Sequence, residues 1–186
     1  MNKGLAGALI AAAAAALAAG CASNSKEAQQ KNPAPCPNIV VLQEAARLVE
    51  FAGEQRIEDV AWTAEIEDVS LACRYVGDKP IDAEVSISLA FGRGPKANAE
   101  EHQYAYWVAV TRTNREVIEK KEFLVPIDFG GDDAVKRVRQ EIEEIIIPRR
   151  AEETSGSNFE VVVGLVLTPD QAVYNRSGKS LKFPDL

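Results

Sequence analysis

The chain has 186 residues, 28 of them acidic against 21 basic, a single histidine and a formal charge of −7 at pH 7. That acidic balance disfavours nucleic acid, whose binding rests on Lys and Arg neutralising phosphates, and any purely electrostatic grip on anionic lipid. Length fits one domain with a proper core, and charge speaks to partners and solubility rather than to fold.

The first element, Met1 to Gly20, has a cationic start at Lys3, an Ala/Leu-rich middle from Leu5 to Leu17, and small residues before Cys21. That is the layout of a secretory signal peptide. Its apolar middle is shorter than the roughly 20 residues that cross a bilayer core, and Ser23 to Glu27 follow at once, so no spanning helix is expected. The junction Ala18-Ala19-Gly20-Cys21 resembles the lipobox of bacterial lipoproteins, with Ala18 where that family more often has Leu. The resemblance implies that the Cys21 thiol receives a diacylglycerol and becomes the new N-terminus. An ordinary cleaved signal with a free Cys21 is the alternative. With the family's usual three acyl chains, at about 0.8 kcal/mol per buried methylene, the anchor in the lipid bilayer is effectively permanent. Ala22 stands where inner-membrane retention uses Asp, so the resemblance implies an outer-membrane location facing the periplasm. Loss of residues 1–20 removes one Lys and no acid, which moves the charge from −7 to −8.

Residues 21–35 are polar and end Asn32-Pro33-Ala34-Pro35, a lipidated flexible tether. Order is expected from Cys36, giving a signal peptide (1–20), a tether (21–35) and one domain (36–186). With Cys21 acylated, Cys36 and Cys73 remain as a pair in an oxidising compartment, and a disulfide is the economical reading. Two cysteines without Cys-x-x-Cys spacing or clustered His do not make a zinc or redox site, and no cofactor is expected.

Within the domain, Ile39 to Leu42 is β-like, and the stretch from Gln43 to Phe51 reads equally as strand or short helix. Val60, Trp62, Ala64 and Ile66 alternate with polar or small residues, and after Glu67-Asp68 so do Val69, Leu71, Cys73 and Tyr75. Gly77 to Pro80 is a turn cluster. Ile81, Ala83, Val85, Ile87, Leu89 and Phe91 hold strict period two, one face buried and one wet. Gly92 to Pro95 closes that strand and a polar loop runs to Gln103. Tyr104 to Thr111 is strand again, Thr113-Asn114 suits a hairpin tip, and Val117, Ile118, Phe123, Val125 and Ile127 return. After Gly130-Gly131, Val135, Val138, Ile142 and Ile145 have helical spacing, yet Ile145 to Ile147 is β-branched; a strand is expected over the Ile run, with 134–140 open. A loop from Arg149 to Ser157 leads to a last strand through Phe159, Val161, Val163, Leu165 and Leu167. Thr168-Pro169-Asp170-Gln171 then reads as N-cap, helix-start proline and capping-box Gln, opening a short helix.

Seven or so strands without repeated βα alternation predict a mostly β fold: an antiparallel β-sandwich, immunoglobulin-like or fibronectin-like in general build, with one or two short helices. Cys36-Pro37-x-Ile39, Cys73-x-Tyr75, Arg93-Gly94-Pro95, Tyr106 to Val110 and Val163-Gly164-x-x-Leu167-Thr168-Pro169, with Tyr174-Asn175-Arg176, resemble an uncharacterised group of alphaproteobacterial lipoproteins. That resemblance implies location and carries no activity.

Candidates for chemistry are few. His102, flanked by Glu100 and Glu101 in a polar loop, reads as a surface residue rather than a general base, because no nucleophile motif supports it. Asp128, Asp132 and Asp133 around Gly130-Gly131 lack the spacing of a calcium loop and read as solvated. Gly92-Arg93-Gly94 lacks the Lys-Ser/Thr of a phosphate loop and reads as a turn. Trp62 and Trp107 could stack a sugar but read as packing. Asn175-Arg176-Ser177 matches a glycosylation sequon. No catalytic residue is assigned. The expected role is a non-catalytic binding or structural module of the cell envelope, with a protein or peptidoglycan partner. Its recognition is expected on the long loops 92–103 and 149–157. The alternative is a small periplasmic hydrolase or carbohydrate-binding accessory protein whose site the sequence does not reveal.

Overall fold

The computed structural model describes residues 35–114, 116–150 and 154–180; the signal peptide, Cys21 and nearly all of the tether lie outside them. Among the described residues eight strands follow in order: β1 (Asn38–Val41), β2 (Arg47–Phe51), β3 (Val60–Arg74), β4 (Ile81–Arg93), β5 (Glu101–Arg112), β6 (Val117–Asp128), β7 (Val135–Ile147) and β8 (Phe159–Leu165). One helix, α1 (Pro169–Arg176), follows. The strands form two four-stranded sheets, ordered β1-β8-β5-β6 and β2-β3-β4-β7. They pack face to face as the sandwich expected from the alternation. Only β1 with β8 is parallel. The general build is that of the immunoglobulin sandwich, but the strand order departs from its four-on-three arrangement.

Period two places the core. Ile81, Ala83, Val85, Ile87, Leu89 and Phe91 are all at most 1% exposed, and they meet Tyr104, Tyr106, Val108, Val110, Phe159, Val161 and Val163 from the other sheet. Two bulges explain where the sequence pattern changed phase. In β3, Ile66 pairs with Leu89 and Asp68 with Ser88, so Glu67 is an extra residue that moves the inward set from even to odd positions. In β7, Ile142 pairs with Val85 and Ile145 with Ala83, three residues against two. The helical spacing of Val138, Ile142 and Ile145 is therefore a strand's alternation interrupted by one extra residue, and 134–140, left open above, joins the Ile run in one strand from Val135.

The ambiguous stretch 38–51 is also resolved. β1 pairs with β8, Leu42 N–H donates to Val163 O, a 3-10 turn (Gln43–Ala45) carries the chain across, and Ala46 O accepts from Ile66 N–H. β1 and β2 are thus two halves of one edge segment that switches sheets, which closes that side of the sandwich. Asn175 of α1 clamps this crossing: its Nδ2 donates to Glu44 O (2.8 Å) and Arg47 O (2.7 Å). The opposite side, where β6 and β7 are the edges, has no such cover among the described residues.

Candidate functional site

At the end where the described residues begin, Cys36 and Cys73 are joined, with Cα atoms 5.6 Å apart. Next to the bridge, the buried Tyr75 hydroxyl donates to Pro35 O (2.7 Å) and accepts from Gly156 N–H (2.7 Å). Arg149 lies over the Tyr75 ring at 5.0 Å and donates to Thr154 O and Gly77 O. The loop after β7, expected to be free for recognition, is instead fastened to the start of the domain through these contacts. Its residues 151–153 lie outside the described residues.

The loop after β4 is also shorter than expected. β5 starts at Glu101, so the expected loop 92–103 reduces to 94–100, and Gly94 N–H and Lys96 N–H donate to Ala61 O and Val60 O. His102 therefore sits on a strand and not in a loop. Its ring stacks on Trp62 (4.5 Å, 12°) and meets Tyr104 edge-on (4.5 Å), while Nε2 lies 3.6 Å from Glu50 Oε2. Sequence reading missed this because Glu100 and Glu101 beside it are polar. Trp62 is core, and Phe129 of the Asp128-Phe129-Gly130 turn is buried against it at 5.6 Å. Burial pushes the Tyr104 phenol far above its usual range, with the charge of Glu50 adding.

The aspartates do not converge. Asp128 Oδ1 accepts from Gly130 N–H (2.7 Å), and a hydrogen bond from Lys136 (2.6 Å) holds the Asp133 carboxyl below its usual range. No group of three potential metal ligands exists among the described residues. Trp107 lies on the outer face of its sheet, where its Nε1 donates to Leu165 O (3.1 Å) and Lys120 Nζ stands 5.0 Å above the ring. Gly164 makes room for it: a Cβ there would come within 2.6 Å of the indole. Asn175 of the sequon is committed to the clamp on β2.

What remains is the uncovered side. Opposite Val108 and Val110 of β5, β6 places Lys121 and Glu119. Both point toward the other sheet but are exposed, so the inner faces are not bridged there. A groove of about 180 Å³ results. Its floor is Val108, Val110 and Phe123, its wall is Ile142 and Ile145 of β7, and its rim carries Glu119, Lys121, Glu144 and the 45% exposed Ile146. A larger hollow, about 310 Å³, lies by Arg112, Thr113, Asn114 and Asn158, with walls that are mostly polar. An apolar floor with a few charged groups at its mouth is the composition of binding sites, which selects the β6–β7 groove. One signal for it stood in the sequence: Glu119-Lys120-Lys121-Glu122 offers no apolar side chain on either face of the strand. Such a stretch cannot seal a core. Compared with family models, with curated proteins and with solved structures, the chain matches none.

Proposed function

We propose that this chain is an envelope lipoprotein acylated at Cys21, facing the periplasm from the outer membrane, whose sandwich is a non-catalytic binding module. Its partner, another envelope component, would bind along the β6–β7 groove. The observation that carries the binding reading is the apolar groove on the uncovered side, bounded by charged rims that suit an extended ligand. The loops first considered for recognition are held by backbone and Tyr75 contacts, so the groove takes that role. The hydrolase alternative would rest on His102 and Glu50, but the imidazole is stacked on Trp62 and packed edge-on with Tyr104.

Two tests address the two halves of the reading. For the anchor, Cys21→Ser should abolish palmitate labelling and release the protein from the envelope pellet; persistent labelling would end that assignment. For the groove, a photo-crosslinking residue at Lys121 should capture an envelope component, and Phe123→Ala should reduce the yield severalfold. The same probe at the exposed Val173 of α1 should capture little. Equal capture at both positions would refute the groove, and hydrolysis of an envelope substrate that His102→Ala abolishes would put the alternative ahead.

A further inference from the structure

Four edge strands border the two sheets, and three of them are ill suited to pairing with another chain. β1 has four residues. β2 has five and is flanked by the Asn175 clamp. β6 contains Pro126, which lacks an N–H, and carries two adjacent lysines in its first half. β7 is different: it is 13 residues long, contains no proline, and is bonded on one side only.

Its charges have an unusual order. The first half reads Lys136-Arg137-Val138-Arg139, the second Glu141-Ile142-Glu143-Glu144, and a neutral Gln140 divides them. Placed antiparallel to a second copy about a two-fold axis at Gln140, Arg139 faces Glu141, Val138 faces Ile142 and Arg137 faces Glu143, and the regular ladder ends at the bulge before Ile145. Symmetry repeats every pair. Moving the axis by one residue either way sets Arg139 against Arg139 or Glu141 against Glu141, and like charges directly opposite destabilise a pair of strands. The backbone phase agrees. Arg93 N–H donates to Ala134 O, so along an antiparallel ladder Lys136, Val138 and Gln140 turn their backbone groups toward β4. Arg137, Arg139 and Glu141 then turn theirs to the free edge, where Arg139 and Glu141 of the second copy exchange bonds.

We propose that β7 is a homodimer interface, in which two copies join sheet to sheet through antiparallel β7 strands into one eight-stranded sheet. Within a copy, Arg137 is already held by Glu67 (2.9 Å), Lys136 by Asp133 (2.6 Å) and Arg139 by Glu141 (3.2 Å). The second copy supplies Arg137 and Arg139 with a further carboxylate each. The two domains start at opposite ends of the joint sheet. The 14 residues from Ala22 to Pro35 reach about 45 Å when extended, enough for both copies to share a bilayer with their strands lying along it. This inference does not depend on the groove having a ligand.

The experiment is cross-linking of the full chain in cells. In the proposed register Gln140 faces Gln140 as a non-hydrogen-bonded pair, with Cα atoms about 4.5 Å apart, within disulfide range. Gln140→Cys should give a linked dimer on a non-reducing gel, with the parent chain reporting any linkage through Cys21. In that background Arg139→Glu or Glu141→Arg should each lower the dimer by about tenfold, and the double exchange Arg139→Glu/Glu141→Arg should restore it. Circular dichroism of each variant checks that the fold is kept. A Gln140→Cys chain that stays monomeric while its thiol reacts with maleimide would overturn the proposal. So would a dimer indifferent to the charge exchanges, or single variants that lose the dimer without recovery in the double.

Discussion

Tyr75 and Tyr104 show how single hydroxyls hold the two ends of the sandwich. Tyr75→Phe leaves the buried Gly156 N–H without its partner and removes the half-buried bond to Pro35 C=O, so a loss of about 2 kcal/mol is expected in urea denaturation. Gly156→Ala should cost a similar amount for a steric reason, since its Cβ would lie 2.5 Å from Pro35 O. Tyr104 makes stability depend on alkaline pH. Burial raises its folded value above the usual 10.0, so the unfolded chain loses its proton first and gains stability as pH rises. The stabilisation is therefore whole below pH 10 and falls above it, by up to about 1.4 kcal/mol per pH unit for each such phenol. Tyr106, raised the same way by burial, adds to the slope. Denaturation midpoints from pH 8 to 11 should show the decline, and Tyr104→Phe should flatten it. At this scale the sequence was least legible. His102 looked exposed because its neighbours are glutamates, and its Trp62 partner lies 40 positions earlier on another strand, a contact that no local pattern encodes.

Strands were far more legible, because period two is local and every inward face had to be apolar. β4, β5 and β8 could be read directly. The difficulties at β3 and β7 share one cause: an extra residue in a ladder mimics a new element by reversing the alternation. This gives a sharp test. Deleting Glu144 from β7 should restore uninterrupted alternation and keep Ile142, Ile145 and Ile147 inward, so the folded state should survive at a cost of about 1–2 kcal/mol. Deleting Ser86 from β4, which has no extra residue, sends half of its buried side chains to the wrong face. That variant should not fold. Equal outcomes in a thermal melt would contradict the bulge assignment. The groove, by contrast, was only faintly written: it arises from a lack of apolar residues at the middle of β6 and becomes a site only when β7 is placed across from it.

For the molecule as a whole, the pairing of Cys36 with Cys73 was legible by elimination once Cys21 was set apart, and the layered architecture followed from strand count. The bridge spans 37 residues of sequence and should contribute about 4 kcal/mol through chain entropy; the Cys36→Ala/Cys73→Ala variant should lose most of that in chemical denaturation. A different consequence appears when the chain is considered as a mechanical part. Tension arriving along residues 21–35 meets the single Pro35–Tyr75 hydrogen bond and then Cys36, and from there it has two paths into the body. One is β1, four residues hydrogen-bonded to β8 along one flank. The other is the sulfur bridge into β3, which is 15 residues long, bonded by β4 from Trp62 to Arg74 and by β2 over its first residues, Val60 to Glu65. The covalent path is the stiffer, so the short strand is relieved of load and the pull is spread as shear along the β3–β4 ladder. In a single-molecule pulling experiment held at the tether and at Lys96, reductant should therefore add an early low-force step of about 3–4 nm as the segment from Cys36 to Ala46 peels away. The oxidised domain should yield in one event, because the bridge keeps a pull on its N-terminal end from unravelling the fold one strand at a time.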